Sequence, residues 1–366
     1  MRPEPVMPDQ VSGPVPGSGY GTVSGYGTVS QSDFPAVAKN LLSGRYALLE
    51  DIYPAGLNTL SALRKMAFTS KGKQIKPASG DFHAYRRQRT AYREASNRLL
   101  VPVERNRIAL RKAPDIGWLT KLYPDISDFL LPFPQIQGLN SSWQWYRKGI
   151  LYPVLNYRIF PFYGTYFPTR FDHLLLFDTW LRKYSGRKKT ALDIGTGCGV
   201  LSFQLLKHGF GHVTATDINP NAIISVLESA HASGVGNRLA AHVGDLFDPC
   251  PHKADLIVFN PPWLPSDDET NILDKAVYYQ SGLFDRFFEQ ASGYLEDDGR
   301  MVLFFSNLGA SEGIEVVHPI EEELKANTRY KRIRTVRRKA AGPSRKTRRR
   351  DHRKEEFVEL WELAKA

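Results

Sequence analysis

The chain has 366 residues, of which 42% are hydrophobic and 12% aromatic, and it carries a formal net charge of +11. That is long enough for two domains with real cores, and basic enough to favour acidic partners such as nucleic acid, a ribosomal surface or an anionic membrane. Two cysteines, Cys198 and Cys250, exclude a disulfide framework and offer no metal-ligand spacing, which fits a reducing, cytoplasmic setting. No run of about eighteen apolar residues occurs, so no membrane span is expected. The first residues carry neither the apolar core of a secretory signal nor an Arg-rich amphipathic pattern.

Residues 1–33 are rich in Pro, Gly and Ser and hold a direct repeat, Gly19-Tyr20-Gly21-Thr22-Val23-Ser24 followed by Gly25-Tyr26-Gly27-Thr28-Val29-Ser30. Such a segment buries too little apolar surface to offset chain entropy and is expected to be a disordered tail. Residues 34–165 are expected to form a mainly helical domain, a candidate for substrate recognition. Apolar residues recur at helical spacing over Phe34–Glu50, Leu60–Phe68 and the Arg-rich stretch Phe82–Leu100. An aromatic run, with Trp143, Trp145, Tyr146, Tyr152 and Tyr157, leads into Phe162-Tyr163-Gly164 and then Pro168-Thr169-Arg170. Gly164 is expected as the turn of a short hairpin or extended crossing.

Over residues 166–366 strand and helix patterns alternate. Helices are predicted at Phe171–Lys183, Val200–His208, Pro220–Ser233, Leu283–Leu295 and Ile320–Asn327. Strands are predicted at Thr190–Gly195, Val213–Ile218, Leu239–Asp245, Asp255–Asn260, Arg300–Ser306, Tyr330–Arg338 and Glu356–Leu363. The pattern argues for an α/β fold with a doubly wound, Rossmann-like sheet that binds its ligand at the strands' carboxyl ends. The last two strands follow each other without a helix and should therefore run antiparallel.

The first strand ends in Asp193-Ile194-Gly195-Thr196-Gly197-Cys198-Gly199. Gly195, Gly197 and Gly199 allow a sharp turn and close approach of a ligand. The spacing is not that of a dinucleotide fingerprint. Asp193 would sit badly beside a pyrophosphate but well beside an ammonium group. The second strand ends at Asp217, whose carboxylate can accept hydrogen bonds from both ribose hydroxyls. The third ends in Asp245-Leu246-Phe247, where the acid can accept from an adenine amino group and Leu246 or Phe247 can cover the ring. Singly, these acids read as turn residues; three at successive strand ends point to one ligand.

Those residues resemble the class I S-adenosylmethionine-dependent methyltransferases over about residues 166–366. The resemblance implies that Asp193, Gly195, Gly197, Gly199, Asp217 and Asp245 bind S-adenosyl-L-methionine, with Asn260 also at the cofactor.

After the fourth strand stands Asn260-Pro261-Pro262-Trp263. It resembles the Asn-Pro-Pro-aromatic motif of superfamily members that methylate planar nitrogens: the release-factor glutamine N5-methyltransferases and the small-domain N-methyltransferases of nucleobases. A planar NH2 is a poor nucleophile because its lone pair is delocalised. The Asn260 side-chain oxygen and the Pro261 carbonyl can each accept one N–H, and the prolines preorganise both acceptors. Trp263 can stack on the flat group or cover the cation. Asn260, Pro261 and Trp263 are the expected catalytic residues, acting chiefly by positioning. Phe162-Tyr163-Gly164 with Pro168-Thr169-Arg170, and Gly282-Leu283-Phe284, resemble segments of the release-factor enzymes. The acids those enzymes carry after their first segment are absent, and Phe171-Asp172-His173 stands there instead.

Basicity is local. Lys325–Lys354 sums to +14 and Arg64–Lys112 to +11, so the remainder is net negative. The segment 339–354, with Arg345-Lys346-Thr347-Arg348-Arg349-Arg350, is expected as a basic loop on the cofactor edge of the sheet, able to hold an anionic surface. The leading expectation is an N-methyltransferase acting on RNA, DNA or a protein amide. The alternatives are a small-molecule N-methyltransferase and a catalytically silent nucleic-acid-binding protein.

Overall fold

The computed structural model describes residues 2–5, 27–28, 33–70, 73–74, 82–265, 278–311, 317–326, 328–340 and 356–366. Most of the expected tail and all but the first two residues of the expected basic loop lie outside them. The chain divides into two compact units, Met7–Gln144 and Met1–Val6 with Trp145–Ala366.

The first unit combines helices with a small sheet that the helical periodicity did not announce. Its first helix, Phe34–Leu42, is capped by the Asp33 side chain, which accepts from the Ala36 N–H. The helix stops well before Glu50 because the chain turns at Ser43-Gly44, where Gly44 has φ +91°. Residues Ala47–Leu48 then pair in parallel with Leu99–Leu100. The helix expected over Phe82–Leu100 ends at Asn97. The run that follows, Leu99–Glu104, is a strand with Leu99 to Val103 all buried, paired antiparallel with Phe129–Pro132. An unbroken apolar run suits a strand covered on both faces, and it carries no helical period to separate the two.

The second unit holds the alternating fold. Its strands are β1 Thr190–Ile194, β2 His212–Asp217, β3 Leu239–Val243, β4 Ala254–Phe259, β5 Leu295–Ser306, β6 Tyr330–Lys339 and β7 Phe357–Lys365. Its main helices are α1 Asp172–Lys183, α2 Val200–Lys207, α3 Pro220–Ala232, α4 Leu283–Tyr294 and α5 Pro319–Ala326. The sheet order is β3-β2-β1-β4-β5-β7-β6. The first five strands are parallel to their neighbours, and β7 runs antiparallel to both β5 and β6.

Side chains along the central strands alternate between two cores. Ala191, Leu256, Val258, Val302 and Phe304 join Phe177, Trp180 and Phe203 in one. Leu192, Ile194, Ile257, Phe259, Met301, Leu303 and Phe305 join Phe284, Phe287 and Phe288 in the other. That two-residue period, apolar on both faces, is why these strands read as continuous hydrophobic runs.

The antiparallel strand β7 carries two buried acids, each held from the edge strand β6. Arg334 Nε donates to Glu362 (2.7 Å) and Arg337 Nε to Glu359 (2.6 Å). Trp180 Nε1 also donates to Glu362 and Trp361 Nε1 to Glu359, both at 2.8 Å. Part of the basic character of β6 is thus internal.

The hairpin expected at Gly164 lies earlier in the chain. Ile150–Leu151 pairs antiparallel with Arg158–Ile159. Gly164 does turn the chain, with φ +68° and Thr165 donating to the Phe162 carbonyl. The residues after it are tied to the sheet edge instead of to a hairpin partner: Asn219 Nδ2 donates to the Gly164 carbonyl (2.8 Å) and Cys198 N to the Tyr166 carbonyl (3.0 Å).

Candidate active site

Register brings the strand ends together. Ile194 pairs with Thr216 on one side and Phe259 on the other. Gly195, Asp217 and Asn260, each the residue beyond or at the end of its strand, therefore emerge at one edge. They line a cavity of about 340 Å³, within the range of small-molecule sites.

The glycine turn is stitched to β2. Thr196 N donates to the Thr216 carbonyl and Gly197 N to Asp217 Oδ2, both at 2.9 Å. Gly197 has φ +54°, and a Cβ there would lie 2.9 Å from the Tyr166 carbonyl oxygen. Only glycine keeps the turn flat against the crossing segment. The other Asp217 oxygen accepts from Asn219 N (2.9 Å). Each carboxylate oxygen retains acceptor capacity for a ligand hydroxyl. Burial raises the Asp217 pKa, outweighing the two backbone N–H bonds that lower it.

Asp193 stands apart from this wall. It is fully buried and is not among the cavity-lining residues. Its Oδ2 accepts from Thr196 Oγ1 (2.7 Å), Ser202 N (2.9 Å) and Ser202 Oγ (2.6 Å), while Oδ1 has no partner. Burial pushes its pKa up to about 6 against the Ser202 and Thr196 hydrogen bonds. The acid expected to meet an ammonium group instead braces the turn onto α2 from beneath.

Asp245 lines the cavity and is ion-paired with Arg286 of α4, a partner the sequence pattern did not single out. Of the two apolar candidates beside it, Leu246 lines the cavity, with φ +48°, and Phe247 is buried in the core. The glycine cradle, the Asp217 acceptors and the Leu246 wall together fit a nucleoside carrying a charged side arm, as the sequence motif implies.

At the other end stand Asn260, Pro261 and Trp263, all lining the cavity. Asn260 Oδ1 and Trp263 Nε1 are buried without a hydrogen-bond partner. Leaving such a group unmatched costs about 1–3 kcal/mol, so the arrangement suits a ligand that supplies a donor to Asn260 Oδ1 and an acceptor to Trp263 Nε1. The Trp263 ring meets the His173 ring edge-on, with centroids 6.0 Å apart. His173 is buried, and desolvation lowers its pKa to about 4, so its imidazole is neutral at ordinary pH.

Several lining residues escaped the sequence reading: His173, Asn219, Leu308 and Glu356. Asn219 had a local signal, an Asn before Pro at a helix start, and its Oδ1 does accept from Asn221 N. Glu356 had none. It reaches the cavity because β7 returns antiparallel beside β5, with Val358 paired to Ser306.

The methyltransferase small domain model matches residues 173–333, from the start of α1 into β6. The chain is 30% identical over 152 residues to a Methanocaldococcus jannaschii protein named provisionally as a protein N5-glutamine methyltransferase, covering 40% of this chain and 76% of that one. It is 31% identical over 144 residues to the release factor glutamine methyltransferase of Cereibacter sphaeroides, covering 36% of this chain; the chain thus spans about half of that relative, 51%. Among solved structures it is similar to the ribosomal protein L11 methylase of Lactobacillus delbrueckii subsp. bulgaricus, with a TM-score of 0.38 and 20% identity over 59% of this chain and 90% of that one.

Proposed function

Because the chain belongs to the methyltransferase small-domain family, we propose that its cavity binds S-adenosyl-L-methionine at the glycine turn and methylates a planar NH2 nitrogen, amide or nucleobase, of a macromolecule. Family membership makes it an S-adenosyl-L-methionine-dependent methyltransferase; the residue roles and the acceptor are our reading. The bound donor supplies an electrophilic methyl group on a sulfonium. Gly195, Gly197 and Gly199 cradle it, Asp217 accepts its ribose hydroxyls, and Asp245 and Leu246 hold its base. Asp193 keeps the turn in shape.

The observation that carries the acceptor reading is the partnerless, buried Asn260 Oδ1 in the same cavity as the turn. In this reading Asn260 Oδ1 and the Pro261 carbonyl each accept one N–H of the acceptor. That frees the nitrogen lone pair from its π system and points it at the donor. Trp263 stacks on the planar group. The contribution is one of orientation by preorganised acceptors.

A macromolecular acceptor is supported by the edge strand β6, which presents Lys331, Arg332 and Lys339 as exposed cations. The names of the two curated relatives, which point to protein glutamine, keep an amide among the acceptors. Incubation with methyl-labelled S-adenosyl-L-methionine and a fractionated cell extract tests the reading. Label is expected in RNA, DNA or protein; label confined to small molecules would overturn the macromolecular acceptor.

A further inference from the structure

S-adenosyl-L-methionine ends in an α-amino acid, with an ammonium and a carboxylate on one carbon. Asp193, the acid that the sequence pattern offers to the ammonium, is buried beneath the turn and is not among the cavity-lining residues. Among the described residues that line the cavity, the acids are Asp217, Asp245 and Glu356, and the one Lys or Arg is Arg170. Asp217 accepts from Gly197 N and Asn219 N, and Asp245 is ion-paired with Arg286. That leaves Glu356 and Arg170, and they touch: Glu356 Oε1 accepts from Arg170 Nη1 at 2.5 Å. Resting on the donor placement given under the proposed function, we propose that this pair grips the amino-acid end of the donor, with Glu356 Oε2 accepting from its ammonium and the Arg170 guanidinium donating to its carboxylate.

The Glu356 side chain is 1% exposed, and its Oε2 is buried without a hydrogen-bond partner. A buried carboxylate oxygen to which nothing donates calls for a donor, and a cationic one is the strongest. The Arg170 side chain is 34% exposed. Its guanidinium carries five N–H donors in a planar fork, which suits a second carboxylate beside the first. The two protein groups are in contact, and the two ligand groups share a carbon. The four charges can therefore close a ring in which each cation lies between two anions. The ion pair and the zwitterion are each neutral overall, so binding adds no net charge to a buried site.

The acid is held in place by its main chain. Its carbonyl accepts from Ala340 N just beyond β6, and Phe357 N donates to Asn307 Oδ1 beyond β5, both at 2.8 Å. It also stands on the side that the arm must take. The sheet order runs β3-β2-β1-β4-β5-β7. Asp245 follows β3 and Asp217 ends β2, so base and ribose lie over that side and the arm runs toward β4, β5 and β7, which Glu356 precedes. One stretch of chain walls that path. The Tyr166 carbonyl accepts from Cys198 N in the turn, and Phe167, Pro168, Thr169 and Arg170 line the cavity in succession. Four residues extend at most about 14 Å. The donor's arm with a hydrogen bond at its end spans roughly 8 Å of that, and the long side chains of Arg170 and Glu356 cover the remainder.

Calorimetry on the full chain tests the pair without turnover. One ligand is S-adenosylhomocysteine, which keeps the amino-acid arm. The other is 5′-methylthioadenosine, which has the same nucleoside and sulfur but no arm. The wild type should bind the first about tenfold to a hundredfold more tightly. Glu356→Gln keeps an oxygen for Arg170 and sets an NH2 group where Oε2 would meet the ammonium. It should erase most of that preference by weakening S-adenosylhomocysteine alone. Unchanged affinity for S-adenosylhomocysteine, the result if main-chain carbonyls hold the ammonium, would overturn the proposal, and so would an equal loss for both ligands.

Decarboxylated S-adenosylhomocysteine, which keeps the amine and lacks the carboxylate, separates the two partners. Arg170→Lys leaves Glu356 a cation but loses the planar fork, so it should weaken S-adenosylhomocysteine and spare this analogue. An equal effect on both would refute the contact between Arg170 and the carboxylate. If Glu356→Gln does not fold, the double variant Arg170→Met, Glu356→Met, which removes both charges together, gives the same comparison of ligands. A wild type that fails to bind S-adenosylhomocysteine would overturn the donor placement as well. Binding that is indifferent to Glu356 would overturn this inference alone.

Discussion

The Gly197 N–H donates to Asp217 Oδ2 at 2.9 Å, so the glycine turn after β1 and the acid ending β2 form one hydrogen-bonded unit. Asp217→Ala should then do two things: remove the ribose acceptors and loosen the turn. S-adenosyl-L-methionine affinity should fall by about 1–3 kcal/mol, and Asp217→Asn, which keeps one acceptor, should fall less. Calorimetry giving unchanged affinity for the alanine variant would sink the role proposed for Asp217.

Asn260→Ala separates donor from acceptor. Its Oδ1 has no partner in the protein, so truncation breaks no internal hydrogen bond to that atom. Donor affinity should stay close to that of the unmodified chain. Turnover should fall roughly a hundredfold to a thousandfold, the scale for losing one preorganised group that orients reacting atoms. A folded variant that binds donor and keeps its turnover would show the motif to be only a turn.

Asp193 gives a pH prediction with a definite sign. Its folded pKa is pushed up to about 6 from 3.8 by burial. Between those values the folded protein holds the proton more firmly than the unfolded chain, so the contribution of Asp193 to stability falls as pH rises from about 4 through about 6. The difference is on the order of 3 kcal/mol. Denaturation of the wild type and of Asp193→Asn across pH 4–7 checks it. The variant should gain relative to the wild type as pH rises, and a pH-independent difference would count against a raised pKa. His173 acts in the opposite direction. Its folded pKa is lowered to about 4, so its contribution grows with pH above that value, and Asp193→Asn leaves that term common to both proteins.

The central sheet was legible because its signal is local and repeated. Alternate residues of β1, β4 and β5 feed two cores, which gives apolar runs, and each run ends in Gly, Asp or Asn. Strand register then delivers Gly195, Asp217 and Asn260 to one edge without any long-range information. Where sequence reading failed, the deciding contact was distant or the run was ambiguous. Leu99–Val103 is apolar throughout and carries no period, so it merged with the preceding helix. Asp193 is expected at the ligand from its place two residues before the glycine turn; the Thr196 and Ser202 groups that hold it instead give no sign in the sequence of facing inward. Glu356 became visible only once β7 was seen to return beside β5.

The last prediction concerns the basic segment after β6. Its flanks are joined: Ala340 N donates to the Glu356 carbonyl at 2.8 Å. Deleting Ser344–Arg353 leaves both ends of that bond in place, so a shorter connection can close the strands without disturbing Glu356. The deletion removes six Lys and Arg residues and one acid. Binding of an anionic macromolecular substrate should weaken, and the loss should shrink as salt rises, because the attraction acts over distances that ions screen within about 10 Å at 0.1 M. Donor affinity should not change. The arginines of β6 that hold Glu359 and Glu362 remain, so the melting temperature should change little, in contrast to Arg334→Ala or Arg337→Ala, which take a partner from a buried acid. Filter binding of RNA at 50 and 300 mM salt, with donor calorimetry beside it, measures both. Undiminished RNA binding and turnover at low salt would remove the segment from substrate recognition and leave the exposed cations of β6 as its remaining electrostatic support.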